Sequence, residues 1–138
     1  ARAGCTWWSC VPLVRRLMAL PRAVRMAGLL TVAGIIFYLS SQPALPTPPL
    51  FPHQDKVFHF LEFAGLGLMV FLNRDSWGSR PLPVMVLLVL AYALSDEVHQ
   101  SFVPGRDCSA ADLAADAAGG LFSLLVLSRF GRGGTSPG

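Results

Sequence analysis

Asp55, His59 and Glu62 recur at i, i+4 and i+7. Asp96, Glu97, His99 and Gln100 cluster at the end of an apolar run, and Asp112 and Asp116 stand four residues apart. Residues three, four or seven apart share one face of a helix, so Asp55, His59 and Glu62 form one set and Asp96, His99 and Gln100 another, with Glu97 offset by about 100°. Carboxylates beside imidazoles can take up and release protons, and burial moves such groups towards neutrality. The pairs His59-x-x-Glu62 and Asp96-x-x-His99 also have the spacing by which facing helices build metal sites. Spacing alone favours a hydrogen-bonded network over an ion, so neither a metal nor a cofactor is expected. Ser101, Cys108 and Ser109 sit in no recognised nucleophile context, which argues against a covalent mechanism.

Arg106 lies in the segment Phe102-Val-Pro-Gly-Arg-Asp107. Pro-Gly favours the centre of a type II turn, which would hold Arg106 over the acidic residues. Its planar fork of donors suits a phosphate or carboxylate, and a salt bridge to Asp96, Glu97 or Asp112 is the competing use.

Four apolar runs carry these residues: Met26 to Ser40, Val57 to Leu72, Pro81 to Ser95 and Leu113 to Phe130. Each has roughly 15 to 18 residues, or about 22 to 27 Å of helix. That is short for a hydrocarbon core of about 30 Å, so the helices are expected to extend into their polar flanks. In a chain of 138 residues with 53% apolar and 14% charged residues, four such runs leave too little polar surface for a water-soluble bundle. The expected fold is all-α: a polytopic membrane protein with four transmembrane helices in an up-down bundle. A cleaved signal peptide is the rival for the first run, but the proline-rich SQPALPTPP that follows offers no clean small-residue cleavage site. The expected organisation is a cytoplasmic segment over residues 1–22, a transmembrane domain over 23–130 and a flexible cytoplasmic tail over 131–138.

Positive charge orients the bundle. With the N-terminus inside, Arg2, Arg15, Arg16, Arg22, Arg25, Arg74, Arg80, Arg129 and Arg132 are cytoplasmic and only Lys56 and Arg106 are outside. Of the eight acidic residues, all but Asp75 fall on the outer side or in the outer half of a helix. Ionisable groups inside apolar helices are costly and need partners or a function, and Glu62 and Asp116 are the clearest cases. The outer helix ends then converge on an outward-facing polar pocket. The basic residues flank apolar runs and form no continuous stripe, which argues against nucleic-acid binding. The odd set Cys5, Cys10 and Cys108 provides no disulfide framework. Gly28, Gly34, Gly65, Gly67, Gly119 and Gly120 are expected to let helices approach closely.

With these residues placed, the chain resembles the VanZ-like membrane protein family. The matching elements are LSSQP at 39–43, DKVFHFLEFAGLGL at 55–68, SDEVHQSFVPGR at 95–106 and DLAADAAGG at 112–120, in matching order and spacing. The resemblance covers about residues 26–127. It carries the family pattern onto Asp55, Lys56, His59, Glu62, Asp96, Glu97, His99, Gln100, Pro104, Gly105, Arg106, Asp112 and Asp116. It implies an integral membrane protein, and the family's namesake is linked to resistance to the lipoglycopeptide teicoplanin.

Three functions are therefore in play. The first is binding of an anionic lipid-linked envelope intermediate or a lipophilic glycopeptide at the outer face, with Asp55, Lys56, Asp96, Gln100, Arg106, Asp112 and Asp116 lining the site. The second is an envelope-lipid-modifying enzyme with acid-base candidates His59, Glu62, Glu97 and His99. The third is a carrier, disfavoured because the inner helix halves are apolar. The partners expected are membrane lipids and that envelope ligand.

Overall fold

The computed structural model describes residues 12–43 and 49–131. Arg2, Cys5, Cys10, residues 44–48 of the proline-rich loop and the tail over 132–138 lie outside the described residues. The described chain is helical, with no strand: α1 Pro12–Met18, α2 Arg22–Ser40, α3 Gln54–Leu72, a 3₁₀ turn Arg74–Ser76, α4 Pro81–Gln100 and α5 Ala110–Gly131. The long helices have 19, 19, 20 and 22 residues, longer at one or both ends than the apolar runs that seed them. The extension follows from the need of every backbone group to find a partner inside its own helix. Short α1 falls in a stretch where the sequence pattern marks no element.

Three helices are long and apolar enough to cross a membrane: Arg22–Ser40, Pro81–Gln100 and Ala110–Arg129. The second run of the sequence differs. Helix α3 has the length, but Asp55, Lys56 and Glu62 place three charged residues within it. It is also the central helix, packing on α2, α4 and most extensively on α5. Its buried residues His59, Phe63, Leu66, Gly67 and Val70 form one helical stripe. On α4 the stripe is Met85, Val89, Ala93, Asp96, Glu97 and Gln100. Core apolar residues and polar candidates thus lie on the same stripes, with the polar members at one end. Large apolar side chains cover the outside, among them Leu30, Ile35, Leu87, Leu94 and Phe122, each more than half exposed. Such a surface suits lipid tails rather than water.

The contacts fix how the helices run. Lys56, His59 and Ala64 of α3 meet Asp112, Asp116 and Ser123 of α5 in that order, so these two helices run in the same direction. Ala33 and Ser40 of α2 meet Tyr92 and Gln100 of α4 likewise. Close approach of α3 and α5 depends on glycine. A Cβ at Gly67 would stand 2.5 Å from the Gly120 carbonyl oxygen, and one at Gly119 would collide with the Phe60 carbonyl. Gly120 is closed off by Val89 of α4. Three other glycines differ from the packing expectation: Gly34 and Gly65 have no neighbour within 4 Å of a built Cβ, and Gly28 only an ordinary contact with Met69 Sδ.

The two ends of the bundle are built differently. At one end the guanidinium of Arg25 holds the Asp75 carboxylate at 2.6 Å and donates to the Leu72 carbonyl. Asn73, fully buried, donates to the carbonyls of Arg25 and Met69, and Trp77 Nε1 donates to Val70 O at 2.9 Å. This clasp closes the end of α3 onto the start of α2. The opposite end holds the polar candidates and the Pro-Gly turn.

Candidate functional site

Three helices deliver the central trio of the polar end. His59 is the first buried residue of the α3 stripe, Glu97 lies in the last turn of α4, and Asp116 lies in the second turn of α5. Each is placed by the apolar residues that follow or precede it on its own stripe, so core packing presses these polar groups together. His59 is 7% exposed, Glu97 1% and Asp116 0%. His59 Nδ1 lies 2.8 Å from Asp116 Oδ1. The backbone N–H of Ser109, just before α5, donates to Glu97 Oε2 at 2.8 Å. One ligand-type atom from each of the three residues lies within 4.8 Å of the other two.

Around the trio sits a second layer. Buried Asp96 accepts from Gln100 Nε2 at 2.7 Å, and the same amide reaches Ser40 Oγ at 3.3 Å. Lys56 bridges Asp55 at 2.6 Å and Asp112 at 2.5 Å, tying the starts of α3 and α5 together. Glu62 is half-buried, and no hydrogen bond reaches its carboxylate among the described residues. It shares a face with Asp55 and His59 by spacing, but the buried stripe runs through His59 and Phe63, which leaves Glu62 on the flank and Asp55 exposed.

His99 goes elsewhere. Its ring stacks on Phe37 at 4.4 Å and its Nε2 lies 2.9 Å from Ser41 Oγ, so it fastens α4 to the end of α2. Helix α4 continues through Gln100, and it is Glu97, offset from Asp96 and His99 by the helical rotation, that joins His59 and Asp116. Ser40 and Ser41, together with Ser109, are polar partners that sequence spacing did not single out. The LSSQP match to the family pattern was the signal that contained the first two.

The segment after α4 turns as its sequence requires. Arg106 N–H donates to Val103 O at 3.1 Å, and Gly105 has φ 79°, the value a type II turn needs at its third residue. The turn directs Arg106 onto three neutral oxygens: Gln42 O from Nε at 3.2 Å, Gln100 Oε1 from Nη1 at 3.2 Å and Leu39 O from Nη2 at 3.3 Å. The salt bridges to Asp96, Glu97 or Asp112 do not form. Among the described residues no carboxylate stands within 4.0 Å of this guanidinium.

The site can therefore do two things chemically. It presents a positive charge fixed in place by neutral groups, and at the same end of the bundle an imidazole oriented by one carboxylate and close to another. A separate cavity of about 480 Å³ lies at the other end of the bundle, lined by Phe71, Arg74, Arg80, Leu82, Met85 and Ser128 among others. No curated protein and no solved structure matches the chain. Residues 27–131, which hold every one of these site residues and all four long helices but for the first five residues of α2, match the family described as VanZ/LLP1, and the chain belongs to that family.

Proposed function

We propose that the chain is a multi-pass protein of the cell membrane that crosses it four times as an up-down bundle, and that it binds the anionic head group of an envelope ligand at the end bearing the Pro-Gly turn. Arg106 carries this reading. Its guanidinium is held by Gln42, Gln100 and Leu39, with no carboxylate within 4.0 Å among the described residues, which leaves its donors and charge to an incoming anion. Arginine in such a setting suits a lipid pyrophosphate or the carboxylate of a lipophilic glycopeptide of the teicoplanin type. Helix α3 supplies the fourth crossing, since Asp55 and Lys56 lie in its first turn and Glu62 is only partly exposed. The nine arginines against Lys56 and Arg106 put both termini in the cytoplasm and the turn outside.

Two experiments test this. Purified protein in nanodiscs is titrated with a polyprenyl-pyrophosphate lipid, with teicoplanin and with a neutral lipid, for wild type, Arg106→Ala and Arg106→Lys. Saturable binding of an anionic ligand that Arg106→Ala abolishes supports the reading, and equal binding in all three proteins sinks it. Topology is read at Cys108, exposed in the loop after the turn. With Cys5 and Cys10 replaced by serine, an impermeant maleimide should label it from outside intact cells.

The second reading is an enzyme acting on such a lipid. The buried His59–Asp116 pair beside Glu97 favours it, because an imidazole oriented by a carboxylate is a general acid-base group. Loss of turnover in Glu97→Gln with ligand binding intact would select the enzyme over the binder.

A further inference from the structure

The trio of His59, Glu97 and Asp116 has two features that a hydrogen-bonded network leaves unexplained. The first is a pair of orphaned acceptors. Glu97 uses Oε2 for Ser109 and Asp116 uses Oδ1 for His59, but Glu97 Oε1 and Asp116 Oδ2 are buried with no partner. A buried carboxylate oxygen without a donor or a cation carries an uncompensated desolvation cost.

The second feature is charge. Asp96 is buried on the same helix as Glu97, Glu62 lies on the flank, and Asp112 sits one turn before Asp116. The nearby cations do not balance them. Lys56 is shared by Asp55 and Asp112, and Arg106 is turned onto neutral oxygens. Only His59 is left to offset Glu97 and Asp116, and one imidazolium cannot neutralise two carboxylates.

We infer that His59, Glu97 and Asp116 together bind one divalent transition-metal ion, with one nitrogen and two oxygen ligands drawn from three different helices. A divalent ion neutralises both carboxylates, leaves His59 neutral and gives the two orphaned oxygens a partner. The donor set fits Zn²⁺ or Mn²⁺, because an imidazole with carboxylates suits these ions whereas Mg²⁺ and Ca²⁺ take oxygen ligands. Ligand atoms around one tetrahedral ion with bonds of about 2.1 Å stand roughly 3.4 Å apart. From a starting set within 4.8 Å, closure needs a contraction on the order of 1 Å, a matter of side-chain torsions. Three protein ligands leave at least one position for water or for an oxygen of a bound molecule. The site is independent of the head-group reading, because neither Arg106 nor any lipid is needed to form it.

The test uses the full chain in nanodiscs, stripped with a chelator and then titrated with Zn²⁺ or Mn²⁺ alone, with no lipid ligand added. Bound metal is counted after desalting, and affinity is read by competition with a chromophoric chelator. One ion per chain is expected in wild type and equally in Arg106→Ala, which separates this site from the head-group site. Glu97→Gln and Asp116→Asn keep size and shape, and each should weaken binding by more than about 100-fold, beyond the loss usual for an outer-sphere partner. Asp96→Asn removes an adjacent charge but no ligand and should cost less than about 10-fold. Co²⁺ gives a second readout on wild type alone, with a visible ligand-field band if an imidazole nitrogen and carboxylates bind it. A wild type that retains no stoichiometric metal and gives no such band overturns the proposal, as does undiminished binding in a folded Glu97→Gln or Asp116→Asn.

Discussion

His59 Nδ1 and Asp116 Oδ1 lie 2.8 Å apart across the α3–α5 interface, although 57 positions separate the two residues in the chain. Both are buried, and both sit on the stripes that farther along carry Phe63 and Leu124. The pair therefore couples the polar end to the apolar core. A double-mutant cycle with His59→Ala and Asp116→Ala is expected to return a coupling of about 0.5–3 kcal/mol, the range for residues in one network. Additive effects in thermal or denaturant unfolding in mild detergent would mean that the contact carries no energy.

Gly67→Ala and Gly119→Ala should each destabilise the bundle by about 1–3 kcal/mol, the usual cost of overpacking. The clash in both cases is with backbone, which cannot swing aside as a side chain can. Gly65→Ala meets open space and should be neutral or slightly stabilising, since alanine favours helix by about 0.8–1 kcal/mol over glycine. Unfolding of the three variants under one condition checks the order, and a Gly65→Ala as unstable as the others would contradict it.

Gly105 holds φ 79° at the turn, where an L side chain costs about 1–2 kcal/mol. Gly105→Ala should loosen the turn and release Arg106 from Gln42, Gln100 and Leu39. Because Cys108 follows three residues later, faster maleimide modification of its thiol is the expected sign. Arg106→Lys should show the same increase, because a single ammonium cannot span three oxygens. Unchanged labelling rates in both variants would show that the turn stands without these contacts.

At the other end, the Arg25 guanidinium hydrogen-bonded to Asp75 holds this exposed carboxyl below the usual carboxylate range. A folded-state pKa below the unfolded value means that the stabilisation is complete above about pH 4. It disappears as the pH falls through the lower folded value. Asp75→Asn should lower stability at neutral pH and flatten the acid limb of the stability profile. The effect is small, because the Asp75 carboxylate is open to solvent and screened by salt. Thermal unfolding of both proteins from pH 7 to pH 3 measures it, and parallel curves would remove Asp75 from the acid response.

The amino-acid sequence by itself determined the helical class, the positions of the long helices to within a few residues, the Pro-Gly turn and membership of the family. These follow from local properties: the length of apolar runs, the φ that glycine permits, and the residue order of DKVFHFLEF and DEVHQSFVPGR. Which candidates meet was decided only by the tertiary structure. Asp55, His59 and Glu62 share a face by spacing, yet burial of Phe63 and Leu66 in the core rotates His59 inward and leaves Asp55 exposed. His99 is three residues from Asp96, but the ring of Phe37 draws it to α2, and Glu97 takes the place beside His59 and Asp116. The clasp of Arg25, Asn73 and Asp75 was equally invisible, since its members stand 48 to 50 positions apart. Spacing along one helix sets which side chains point the same way, and only the rotation of that helix against its neighbours sets what they point at.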